Sequence, residues 1–178
     1  MRNYYVNLTF AIKRSHTLFK IGDMAVYPAQ GVGVIEAIES KEFVGQTLDF
    51  YVLRIVDSDM TIMIPVNNVD SVGMRSLIDK SHVRTVYDIL QDKPENQASL
   101  ASWSRRQRDY NDKIRSGDVF EVAEVLRELY LIREEKELSY GEKKVLELAR
   151  KLVFKEIALA DGKEEQQVAD RVESFFTH

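Results

Sequence analysis

Between residues 19 and 75 the apolar positions fall in short runs with little helical spacing. Val26, Ile35, Phe50, Val52, Ile55, Ile62 and Ile64 are β-branched or aromatic, which suits a pleated, half-buried surface. Turn-forming residues punctuate them: Gly22-Asp23, Pro28 to Gly33, Val44-Gly45-Gln46, Asp57-Ser58-Asp59 and Asn67-Asn68. Leu48 to Val56 is the longest strand candidate. Met60 to Pro65 follows after a tight turn, which suggests a hairpin. About five short strands in so small a stretch imply a strongly bent sheet or a small β-barrel.

From residue 79 the period becomes helical. Val83, Val86, Tyr87 and Leu90 form one stripe after a candidate Ser81 cap. Lys93-Pro94 ends that helix, and residues 94–101 read as a connector. A second helix is expected over about 102–115, with Gly117 as its stop. A third begins at Asp118 and carries Val119, Val122, Leu126 and Leu129, dense enough for a central position. Ser139-Tyr140-Gly141-Glu142 has the form of a capping box opening a fourth helix, striped by Leu146, Ala149, Val153 and Ile157. Asp161-Gly162 breaks it, and Val168, Val172 and Phe175 mark a last helix. The fold class is therefore α+β: a small β-barrel domain over 19–75, a hinge near 73–80, and a compact all-α bundle of about five helices over 79–178. Residues 1–18 fit no pattern and are left as an unassigned N-terminal extension.

Composition narrows the chemistry. An apolar share of 44% suffices for a folded core. With no cysteine, disulfides and thiolate metal sites are excluded. No apolar run is long enough for a bilayer and no signal peptide is legible, so a cytoplasmic protein without membrane contact is expected. His16, His82 and His178 are scattered, and no metal-ligand spacing, nucleophile motif or complete phosphate loop occurs. Gly31-Val32-Gly33 lacks a third glycine and reads as a turn. Glu134, Glu135 and Glu137 read as a solvated face. No metal, cofactor or catalytic residue is expected, and an unrecognised hydrolase is the weakest of the function classes.

The net charge of −4 hides local excess. Residues 102–116 hold five basic side chains against two acidic ones. Within them Trp103-Ser104-Arg105-Arg106-Gln107-Arg108 joins the sole tryptophan to three arginines, a combination suited to phosphates and bases. Helical spacing argues for a core role, since Trp103, Tyr110 and Ile114 fall on one side. Against that, Trp103 lies in the first turn, from which it could project past the bundle edge. Lys143 and Lys144 occupy the first turn of the fourth helix, where basic residues are mildly unfavourable unless an anion is near. In the β region, Met63 and Pro65 suit a sheet edge available for pairing with another protein, or else Met63 fills the core and Pro65 merely ends a strand.

Several linked motifs resemble the CarD/CdnL family. Phe19-Lys20-Ile21-Gly22-Asp23, Val26-Tyr27-Pro28 and Gly31-Val32-Gly33 resemble the opening of its N-terminal domain, which transcription-repair coupling factors share. Ser102 to Arg106, Gly117-Asp118-Val119, Ala123 to Arg127 and Leu138 to Lys143 resemble its C-terminal half, in the same order. The resemblance spans about residues 19–176 and points to the CdnL-like branch. It implies a Tudor-like, SH3-like domain that binds the RNA polymerase β subunit by strand addition, with the Lys41 and Met63 positions in the binding surface; Val52 and the edge residue Pro65 complete the expected polymerase-binding set. It also implies a helical domain at the upstream edge of the promoter bubble. There Trp103 would wedge into the minor groove, and Arg105, Arg108 and Lys143 would contact the DNA backbone; Arg106, from the basic cluster, and Lys144, from the first turn of the fourth helix, complete the expected DNA-facing set. Some members carry arginines where Lys41 and Met63 stand. Lys41 keeps the charge but not the planar fork, and Met63 loses the charge. The expected role is open-complex stabilisation by a monomer that is held at the nucleoid through polymerase and contacts DNA weakly and without sequence preference. The alternative is a protein–protein adaptor without direct DNA contact.

Overall fold

The structure is a computed structural model that describes residues 19–93 and 102–176. The extension over 1–18, the connector over 94–101, His16 and His178 lie outside the described residues.

Strands β1 (Met24–Tyr27), β2 (Gly31–Phe43), β3 (Gln46–Ile55), β4 (Thr61–Pro65) and β5 (Arg75–Ser76) form one sheet in the order β4-β3-β2-β1-β5. All pairings are antiparallel. The expected barrel does not close: β4 and β5 lie at opposite edges and do not pair with each other. Among the described residues β4 has a partner on one side only, so its outer backbone groups face away from the sheet. The long β2–β3 hairpin turns through Val44-Gly45, with φ of 51° and 75°. Two successive positive φ values match the two-residue turn that follows strand twist. Glycine takes that conformation freely, but a β-branched valine is strained in it.

Alternation along β3 divides the sheet into two faces. Tyr51, Leu53 and Ile55 pack inward with Phe19, Ala25, Ile35, Ile64, Val69 and Met74. Leu48, Phe50 and Val52 point outward and are only partly buried. Asn68 leads into a short helix α1 (Val69–Val72), whose C-cap is Gly73.

The bundle comprises α2 (Lys80–Gln91), α3 (Trp103–Ser116), α4 (Val119–Glu135), α5 (Tyr140–Asp161) and α6 (Glu165–Glu173). Helix α2 starts two residues earlier than a Ser81 cap would place it. The Asp79 carboxylate accepts from the His82 backbone N–H, and Ser81 Oγ donates to the same carboxylate. Gly117 (φ 74°) ends α3 and Asp118 caps α4 by accepting from Phe120 N–H. Helix α4 is central, with Val122, Ala123, Val125, Leu126, Leu129 and Tyr130 all buried among the other helices.

The segment read as a hinge is firmly held. Strand β5 pairs with β1. Arg75 forms a two-pronged ion pair with Glu156 of α5, at 2.5 and 2.9 Å, and its Nε donates to the Gly117 carbonyl. Glu156 is only 3% exposed and also accepts from Ile78 N–H. A buried carboxylate met by a fork of donors is specific about geometry, because any other placement leaves the charge unpaired. Pro28 fills the space beside Gly117, and Lys155 of α5 reaches Asp57 at 2.9 Å.

Candidate interaction sites

The first site is the corner where the N-termini of α3 and α5 meet. Ser139 and Glu142 cap α5 reciprocally: Glu142 N–H donates to Ser139 Oγ, and Ser139 N–H donates to Glu142 Oε2. The capping carboxylate is 2% exposed, and its other oxygen accepts from Arg106 Nη2 at 2.8 Å. Burial alone would raise the Glu142 pKa. Hydrogen bonds from Ser139 and Arg106, with Lys136 nearby, overcome it and hold the group at about 2. One cap thus joins two helices through residues 36 positions apart along the chain.

That junction decides where the basic side chains point. Arg106 is 7% exposed and turned inward, so it leaves the set expected to face DNA. It shares a stripe with Trp103, Tyr110 and Ile114, and Tyr110 and Ile114 are buried. Beneath it, burial and the Glu128 carboxylate push the Tyr110 phenol pKa upward. Arg105 and Arg108 are exposed on the opposite side of the helix, and neither forms an ion pair among the described residues. Lys143 pairs with Glu137 at 2.9 Å while remaining half exposed. The Lys144 ammonium lies 5.4 Å from the Tyr140 ring centre.

Trp103 lies between the two readings made from sequence. It does not stand clear of the bundle: its ring packs on Gly141, lies 6.3 Å from the Tyr110 ring, and has the Arg106 guanidinium 5.7 Å from its centre. Nor is it core, since it is only partly buried. Tyr140 is the aromatic that sequence reasoning passed over. It is 76% exposed beside Gly141 and served in the sequence only as filler within a capping box. Its position at the first residue of α5 was a usable signal, because that turn projects beyond the packed stripe. Trp103, Tyr140, Lys143 and Lys144 together make an aromatic and cationic corner at two positive helix ends, while Arg105 and Arg108 add exposed charge on the other side of α3.

The second site is the outer face of the sheet. Val52 pairs directly with Met63, Phe50 with Pro65, and Leu48 with Lys41. Alternation therefore puts Lys41, Val52, Met63 and Pro65 on one face, with Met63 and Pro65 on the edge strand. Lys41 Nζ lies 3.4 Å from the Met63 sulfur and 3.7 Å from Glu39. Leu48 and Phe50 extend the same partly buried apolar surface. Among the described residues no group of three or more His, Asp or Glu side chains could hold a metal ion. None of the described helices is long and apolar enough to cross a membrane.

Comparison with known proteins assigns both halves. Residues 19–78 match the CarD-like/TRCF RID domain, and residues 85–173 match the CarD C-terminal domain. The chain belongs to the CarD family. YdeB of Bacillus subtilis (strain 168), named as a candidate transcription factor, is 37% identical over 151 residues, covering 85% of this chain and 97% of YdeB. A solved structure, "CdnLNt from Myxoccoccus xanthus", shares 54% identity over 38% of this chain and 94% of its own, with a TM-score of 0.31. The CarD family is one of transcription factors rather than enzymes. Its RID domain is Tudor-like and is a domain of RNA polymerase interaction.

Proposed function

We propose that this CarD-family chain grips the RNA polymerase β subunit with its sheet and promoter DNA with the α3–α5 corner, and so stabilises the open complex. The observation that carries the DNA half is the corner itself: the partly buried Trp103 ring and the highly exposed Tyr140 ring lie with Lys143 and Lys144 where two helices start, and Arg105 and Arg108 stand exposed on the other side of α3. Guanidinium and ammonium groups there suit phosphate, and a partly exposed indole suits an unstacked base step. The polymerase half rests on the outer edge of β4, which has no partner strand among the described residues, and on the apolar surface formed by Val52, Met63 and Pro65, to which a strand of the β subunit would add.

The mechanism is a shift of population. A ring that fits the distorted junction of a melted promoter better than closed duplex favours the open state by the difference in affinity. Tethering to polymerase raises the local concentration, so weak DNA affinity suffices. Binding of the free protein to DNA should tolerate sequence changes and weaken with salt, each neutralised phosphate adding about 0.9 to the log–log slope.

Trp103→Ala is the direct test. The lifetime of the polymerase–promoter open complex should fall to that seen without the protein, while binding to polymerase is retained. An unchanged lifetime would end the wedge reading. An adaptor without DNA contact would give no footprint on promoter DNA in the presence of polymerase.

A further inference from the structure

Gly141 sits in the first turn of α5, where φ and ψ are helical and alanine would be the better helix former by about 1 kcal/mol. A Cβ built there would meet Trp103 Cζ2 at 2.8 Å, Cε2 at 3.3 Å and Nε1 at 3.5 Å. The indole therefore lies against bare backbone and occupies the space a side chain would take. One residue further along the chain, Glu142 binds Arg106, and the Arg106 guanidinium lies 5.7 Å from the indole centre. Tyr110, fully buried, closes the inner side. Three contacts from two helices thus fix a ring that is itself only partly buried. Neither hydrophobic burial nor helix propensity accounts for a glycine at this point.

We propose that Gly141, together with the buried Arg106–Glu142 pair, is a positioning element that holds the Trp103 indole in one pose before DNA arrives. The functional side of this inference rests on the reading of Trp103 as a DNA contact. The pose itself does not, and it can be measured on the free protein. Fixing a side chain in advance removes the entropy that binding would otherwise spend on ordering it. Arg106 and Glu142 act through Trp103 and touch no ligand themselves.

The sole tryptophan makes the pose visible by fluorescence. In the full chain, Gly141→Ala should shift emission to longer wavelength and increase quenching by acrylamide, because the displaced ring swings into solvent. Thermal stability should be unchanged or higher. Open-complex lifetime should fall by about 3- to 10-fold, the scale set by ordering one side chain on binding. The double variant Trp103→Phe/Gly141→Ala supplies the control: phenylalanine has no Cζ2 to collide, so adding Gly141→Ala to Trp103→Phe should leave the lifetime unchanged.

Wild-type emission and quenching in Gly141→Ala would overturn the pose. Altered fluorescence with a wild-type lifetime would overturn positioning, provided Trp103→Ala shortens the lifetime. If Trp103→Ala leaves the lifetime unchanged, the DNA reading falls and fluorescence alone decides the pose. Should Gly141→Ala not fold, recovery of folding in the double variant would identify the ring collision as the cause, and lack of recovery would overturn the proposal.

Discussion

The outer face of the sheet and the corner between α3 and α5 are both exposed, yet they are held by different physics. The sheet face is the solvent side of a pleat: Val52, Met63 and Pro65 are placed by strand register, and none of them belongs to the buried cluster beneath the sheet. At the corner, exposed residues alternate with buried ones that join helices. Arg105 and Arg108 face solvent while Arg106 between them is bound to Glu142 inside, and Trp103 lies on that pair. Substitutions on the sheet should therefore separate binding from folding, whereas at the corner the two are coupled through the α5 cap.

Glu142→Ala should break that coupling most severely. It removes the capping carboxylate and leaves the Arg106 charge buried without it, at a cost of about 3–5 kcal/mol in urea unfolding. The same group gives the fold a pH dependence. Its pKa lies near 2 in the folded protein against 4.5 when unperturbed, so its stabilisation is complete above about pH 4.5. It is lost as pH falls towards 2, amounting to about 3 kcal/mol over that window. Acid titration of Glu142→Gln should show a flatter stability profile between those limits than wild type. An equally steep profile would mean that other carboxylates dominate.

Met63→Asp probes the opposite case. Met63 is 39% exposed and lies beside Lys41, which can meet an added carboxylate. Folding stability should stay within about 0.5 kcal/mol of wild type. Affinity for the polymerase β subunit, measured by titration, should fall at least about tenfold, or 1.4 kcal/mol. A comparable loss of folding stability would show that the sheet face is structural after all. The smallest effect is expected at the hairpin tip. Val44→Asn relieves a β-branched residue at positive φ and should raise stability by about 0.5–1 kcal/mol in thermal unfolding, since Asn-Gly is a preferred pair for this turn.

Much of the corner was legible in sequence because its parts are local. Ser139 and Glu142 read as a capping box, Gly117 as a helix stop, and Asp118 as a helix start, each from residues within one turn. The inward turn of Arg106 was also within reach, since it lies three residues after Trp103 and four before Tyr110 on the same stripe. An arginine on an apolar stripe is easily assigned to the surface when its buried partner is unknown, and Glu142 is 36 residues away.

The sequence by itself determined where most of the strands, helices, turns and caps fall, because those depend on φ/ψ preferences and on the period of apolar positions over a few residues. The motifs alone also sufficed to point to the family. Only the tertiary structure decided that the sheet stays open, that Arg75 reaches Glu156 across 81 positions, and that Gly141 makes room for the Trp103 ring. Those outcomes depend on which distant surfaces meet. Local preference cannot specify this, because a buried charge or a missing Cβ acquires meaning only from the atoms packed against it.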